Sequence, residues 1–252
     1  MLPEWALRPW RWLRRIRVIP PEQELFWPEV TFFSDGLATI HNSDFQRDPR
    51  FTEAYGRGLQ TGSWRGTRNL WRAHVLCWAA DCAARLPGDF VECGVFRGGS
   101  AAAVIAFVGM EALGKRFYLV DTFSGAASDL WTPEERLGAA ARDVYSPSLE
   151  FVREQFKTSP FVELVPGRVP DVLPSVGAER VGFLHLDMNA AVPEVAAAAF
   201  FWDKLVPGAP ILLDDYAYRG YGPQKAAFDE FARARGVSIL TLPTGQGLLV
   251  KP

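Results

Sequence analysis

Five carboxylates, Glu92, Asp121, Asp187, Asp214 and Asp215, stand at the ends of four short apolar runs. Acids that recur at one kind of position can pair with an ammonium group, accept hydrogen bonds from hydroxyls, or hold a cation. Leu184–Asn189 (LHLDMN) and Leu212–Tyr216 (LLDDY) read as the ends of adjacent strands, which brings Asp187, Asp214 and Asp215 to one point. Three oxygen donors with open positions suit Mg2+, a hard ion that keeps waters or takes substrate oxygens. The plainer alternative is that these acids cap the helices that follow and bind no ion. Tyr216 and Tyr218 lie in the loop beyond the acid pair. They are candidates for stacking on a substrate ring, or for packing a subunit interface.

The turn Val91–Ser100 (VECGVFRGGS) carries Gly94, Gly98 and Gly99, spaced unlike the G-x-G-x-x-G of a dinucleotide site. It suits close approach of a smaller ligand to backbone N–H groups at a helix start. A carboxylate would sit by Gly94, Arg97, Gly99 and Ser100, an ammonium by Glu92, and ribose hydroxyls by Asp121 and Thr122. S-adenosylmethionine (SAM) has all three groups. Asp187 would touch both this ligand and the cation, which makes it the first candidate for a general base. His74, in the segment Trp71-Arg72-Ala73-His74, is the second. His185 points to the same face of its strand as Asp187 but lies deeper, and reads as a core histidine.

These residues need a scaffold, and the hydrophobic pattern supplies one. Apolar runs at Asp89–Cys93, Arg116–Val120, Phe161–Val165, Val181–Leu186 and Pro210–Leu213 read as strands. Helical spacing covers Trp64–Leu86, Ser100–Leu113, Pro193–Leu205 and Gly222–Arg235. Alternating strands and helices imply right-handed crossovers and a parallel sheet. Val237–Leu242 and Gln246–Val250 are joined by only Pro243-Thr244-Gly245, too short for a crossover, so they are antiparallel. The expected fold is therefore α/β: a doubly wound, mostly parallel, seven-stranded Rossmann-like sheet closed by an antiparallel hairpin. Residues 1–63 read as an irregular aromatic arm or cap, and residues 64–252 as the ligand-binding domain.

The 252 residues, 48% hydrophobic and 22% charged, are ordinary for a globular chain. A net charge of -2 gives no reason to expect a nucleic-acid partner. Three cysteines (Cys77, Cys82, Cys93) fit neither a disulfide framework nor zinc spacing, which favours a reducing, cytoplasmic setting. No run is long enough to span a bilayer. The basic, Trp-rich start suits packing on the domain or on another copy in a homo-oligomer, with peripheral membrane contact as the alternative.

GDFVECGVFRGGS, LVDTFSG, LHLDMN and ILLDDY, spread over residues 87–235, together resemble the macrocin O-methyltransferase family. These are class I SAM-dependent enzymes that methylate sugar hydroxyls. The resemblance implies SAM at Glu92, Gly94, Ser100 and Asp121, Mg2+ at Asp187, Asp214 and Asp215, a base beside the metal, and a sugar or other polyhydroxylated substrate. It points to natural-product or surface-glycan biosynthesis. The family usually has a second acid and a Tyr after the LHxD core, where this chain has Asn189 and then Ala190-Ala191-Val192-Pro193. Competing readings of the same residues are a nicotinamide-dependent oxidoreductase and a non-catalytic scaffold of the same fold.

Overall fold

The structure is a computed structural model that describes residues 30–64, 67–137 and 149–252. The basic, Trp-rich segment at the start of the chain lies outside the described residues. The hairpin β1 (Phe32–Ser34) and β2 (Leu37–Thr39) comes first. Its turn is Asp35-Gly36, with φ of 49° and 75°, the left-handed pair that a tight hairpin turn requires. Helices α1 (Pro49–Gln60) and α2 (Leu70–Ala84) follow, then β3 (Asp89–Cys93), α3 (Gly99–Val108) and β4 (Phe117–Asp121). Next come α4 (Pro133–Leu137), α5 (Leu149–Gln155), β5 (Val162–Pro166), β6 (Val181–Leu186) and α6 (Ala191–Phe201). The chain finishes with β7 (Pro210–Leu213), α7 (Gly222–Arg235), β8 (Leu240–Thr241) and β9 (Gly247–Val250).

Seven strands form one sheet in the order β5-β4-β3-β6-β7-β9-β8. The first five are parallel, and β9 runs antiparallel between β7 and β8. The strand order reverses between β3 and β6, which opens a crevice at their carboxyl ends. The period of two sorts the side chains cleanly. Phe90, Phe117, Leu119 and Phe183 pack under α2 and α3, while Val91, Val120, Leu184 and Leu186 pack under α6 and α7. Phe90 contacts Phe117 and Phe183 at ring-centroid distances of 5.8 and 5.2 Å. Burying each such ring contributes about 2–3 kcal/mol, so the centre of the sheet is a rigid platform.

Three expectations change. Residues 49–60, read as irregular chain, form a helix capped by Asp48, whose side chain accepts from the Arg50 N–H, with Pro49 at its first position. Gly56 and Gly58 blurred its periodicity. At Gly58 a Cβ would come within 2.2 Å of the Trp64 ring, so the glycine is there for packing. The helix expected from Trp64 starts instead at Leu70, and Trp64 folds back onto α1. Helix α3 also ends early, at Gly109, which caps it with φ of 63°.

Candidate functional site

A cavity of about 340 Å3 opens at the β3/β6 switch point, within the size range of small-molecule sites. Its floor is the β3–α3 turn, with Gly94, Val95, Phe96, Gly99 and Ser100. Asp121 and Thr122 from β4, Asp187–Asn189 from β6, and Asp214 and Asp215 from β7 form the walls. Asp35, Trp64, Trp131, Tyr218 and Tyr221 lean over it.

Asp121 shapes the turn. Its Oδ2 accepts from the N–H groups of Val95 and Phe96 at 2.7 and 2.9 Å, and its Oδ1 from the Phe123 N–H at 2.8 Å. A longer contact of 3.3 Å comes from the Thr122 hydroxyl. At the start of α3 the Gly99 N–H donates to Ser63 Oγ at 2.8 Å, so Ser63 caps this helix from the loop after α1.

Several expected residues face elsewhere. Arg97 turns away from the cavity, donating from Nε to the Thr61 carbonyl at 2.9 Å and stacking over Phe151. Glu92 is 1% exposed and points between the sheet and α2, because it lies on the same strand face as Phe90. Its register partner across β3 and β6 is His185, and Glu92 Oε1 lies 3.3 Å from His185 Nδ1. His74 stacks on Phe45 at 4.2 Å and meets Phe51 edge-on. Arg72, two residues earlier on α2, lines the cavity, and two residues turn a helix by about 200°, so His74 faces away from it. Burial holds its pKa down. Tyr216 is buried, its hydroxyl bonded to Asp229 and to Lys225. Tyr218 lines the cavity, and Tyr221 does so with its hydroxyl donating to Asn189 Oδ1 at 2.7 Å.

The acid rim contains a cation that sequence reasoning did not assign. Arg72, on the sheet-facing side of α2 with Leu76, Ala80 and Ala83, donates from Nη2 to the Asp214 carboxylate. The same nitrogen donates to the Asp214 carbonyl at 2.9 Å and to Asp215 Oδ1 at 3.1 Å. Asp214 Oδ1 accepts from Gln246 Nε2 at 2.8 Å and lies 3.8 Å from His185 Nε2. Burial alone would raise the Asp214 pKa; Arg72, His185 and Gln246 outweigh it and hold the group well below the usual carboxylate range. Asp187 goes the other way, raised by burial and then by the charges of Asp214 and Asp215. Asp35 is also raised, chiefly by burial, and its Oδ2 has no hydrogen-bond partner. The Asp35-Gly36 pair between two short apolar runs was the sequence signal for that hairpin.

His185 is buried between Glu92 and Asp214. Desolvation pushes its pKa down, but these two carboxylates win and raise it to about 10. A folded-state value above the unfolded one gives stability that is whole below about pH 6.5 and is lost as pH climbs toward 10. Thermal midpoints of the wild-type protein should therefore fall more steeply than those of His185→Gln across that window. Parallel curves for the two proteins would contradict the assignment.

Residues 66–241 match the macrocin-O-methyltransferase (TylF) family. An 8-demethyl-8-(2,3-dimethoxy-alpha-L-rhamnosyl)-tetracenomycin-C 4'-O-methyltransferase of Streptomyces olivaceus is 32% identical over 153 residues, covering 56% of this chain. Demethyldecarbamoylnovobiocin O-methyltransferase of Streptomyces niveus is 26% identical over 155 residues, covering 58% of this chain. Each match spans 58% of the curated relative's own length. Among solved structures, the O-methyltransferase NovP superposes with a TM-score of 0.65 at 21% identity, covering 72% of this chain and 80% of that one. The calicheamicin methyltransferase CalS11 gives 0.64 at 16% identity, covering 84% and 94%. At these identities the two superpositions establish a common fold.

Proposed function

The chain belongs to the macrocin-O-methyltransferase (TylF) family, and from that premise we propose that it transfers the methyl group of SAM to a hydroxyl of a sugar or similar polyhydroxylated small molecule. The single observation that carries this reading is the position of Asp187. It lies at the junction of the glycine-rich turn and the acid rim, in one cavity with both. The two curated relatives named above are O-methyltransferases of glycosylated natural products by their names, and biosynthesis of such a compound or of a surface glycan is the setting proposed here.

In this reading Gly94 and Ser100 meet the amino-acid end of SAM, the Gly99 N–H being taken by Ser63, and Asp121 with Thr122 meets the ribose. The 3.3 Å contact from Thr122 to Asp121 is the one a ribose hydroxyl would replace. Glu92 instead acts from below, through His185. Bound SAM supplies an electrophilic methyl on a sulfonium. Asp187 orients the acceptor hydroxyl and takes its proton as the new O–C bond forms and the C–S bond breaks. Tyr218 and Tyr221 offer ring faces for a sugar, and the cavity walls keep donor, methyl and acceptor in line.

The Mg2+ expected at Asp187, Asp214 and Asp215 does not fit these donors. The Asp214 carboxylate is engaged by Arg72 and Gln246, and Asp215 Oδ1 by Arg72. Among the described residues no group of three or more His, Cys, Asp or Glu side chains is arranged to hold a metal.

Calorimetric titration should give micromolar SAM affinity and no heat with NAD, and a screen of free and nucleotide-linked sugars should yield a methylated product. NAD binding in place of SAM would restore the oxidoreductase reading, and SAM binding with no acceptor turned over would restore the scaffold.

A further inference from the structure

We propose that the guanidinium of Arg72 is the resident cation of the acid rim, so that methyl transfer by this chain proceeds without a divalent metal. The inference rests on the methyltransferase reading and deepens it. Asp187, Asp214 and Asp215 line one cavity, and carboxylates gathered in one site must share a positive charge or keep a proton. Arg72 supplies it from within the chain. One nitrogen, Nη2, meets Asp214 at both its carboxylate and its carbonyl and also meets Asp215 Oδ1. The side chain is 13% exposed, and its guanidinium carbon sits 5.0 Å from the centre of the Tyr218 ring.

Placement of this charge is not accidental to the helix. Arg72 lies one turn before Leu76 on the side of α2 that covers the sheet, directly over the ends of β6 and β7. A planar, permanently charged fork held on a helix has several donors for carboxylate oxygens and loses little freedom on binding. Burial lowers the tendency of Arg72 to stay charged, but Asp214, Asp215 and Asp187 more than reverse that. The other arm of Asp214 is closed by Gln246. Asn189, two residues after Asp187, is neutral and accepts from the Tyr221 hydroxyl. The charges of the rim are thus answered from within the chain. Arg72 acts as a positioning residue. It fixes Asp214 and Asp215 in the wall that also carries Asp187, and so holds the site around the proposed base.

The test is a Mn2+ titration of the full chain, read by the electron paramagnetic resonance of free Mn2+, with Mn2+ standing in for Mg2+. Wild-type protein should leave Mn2+ free up to millimolar concentration, and methyl transfer should be unchanged by EDTA. Arg72→Ala uncovers the carboxylates and should bind Mn2+ at least tenfold more tightly than wild type, while turnover falls roughly a hundredfold. Arg72→Lys should leave Mn2+ free like wild type, because it keeps a charge at the rim. If wild type sequesters one Mn2+ per chain and Asp214→Asn abolishes that uptake, or if EDTA stops turnover and Mg2+ restores it, the proposal is overturned. Should Arg72→Ala fail to fold, the wild-type titration decides alone. Absence of SAM binding would sink the methyltransferase reading without touching the Mn2+ result, so the two failures are distinguishable.

Discussion

Asp187→Asn should lower turnover about a thousandfold while SAM affinity stays within a factor of about three. The carboxylate is the base in the proposed reaction, and its replacement has the same shape and no basicity. The raised pKa of Asp187, caused by burial and then by Asp214 and Asp215, adds two further expectations. Wild-type turnover should climb with pH as Asp187 loses its proton, and Asp187→Asn should lose that limb of the profile. Stability should move the other way. The unfolded chain gives up this proton at an ordinary carboxylate pH, whereas the folded chain retains it, so wild-type stability falls as pH rises above that point. The amide escapes this loss and should melt higher than wild type at neutral pH, as expected where function holds a group in an unfavourable place. Single-turnover assays, SAM calorimetry and thermal melts across pH check all three. If turnover survives, Asp35 becomes the leading base, since it faces the same cavity and its carboxyl is likewise raised by burial.

Gly94→Ala should be the most damaging single methyl addition in the glycine-rich turn. Gly94 has φ of 90°, where a side chain is strained whatever the space. A Cβ there would stand 2.0 Å from the Asp187 carbonyl oxygen and 2.4 Å from its carbon, and backbone cannot move aside as a side chain can. The position is pinned from both flanks: the Gly94 N–H donates to the Val120 carbonyl and the Asp187 N–H to the Cys93 carbonyl, both at 2.9 Å. Separating β3 from β6 to admit the methyl would break the cavity floor and move Asp187. We expect a loss of about 4 kcal/mol in urea unfolding and SAM binding too weak to measure. Gly109→Ala is the control, with φ of 63° but nothing within 4 Å of the added carbon; it should cost about 1 kcal/mol. Equal effects of the two substitutions would show that strain, and not the contact with Asp187, governs Gly94.

Strand ends were legible because four of the five apolar runs stop at an acid, and the short link at Pro243-Thr244-Gly245 left only an antiparallel ending. Which way each side chain turns was less so. Glu92 looked like a ligand because it ends a strand, but whether it meets a ligand or a histidine depends on the pairing of β3 with β6, which no local pattern states. His74 and Arg72 are two positions apart on one helix, and choosing between them requires the phase of α2 against the sheet. The run of Leu76, Ala79, Ala80 and Ala83 holds that phase, and stepping back one turn from Leu76 would have found Arg72. Tyr216 and Tyr218 differ in the same manner: Lys225 and Asp229, one helix later, draw the first inward.

The place of β9 bears on how the protein is born. Each strand that carries a rim acid precedes it in the chain, yet β9 slots between β7 and β8, and Gln246 at its threshold grips Asp214. On the ribosome, β7 therefore waits with one flank bare, and β8 has no neighbour until residues 247–250 emerge. During that interval the nascent chain exposes an open edge of the kind that recruits other strands, and chaperone demand should peak there.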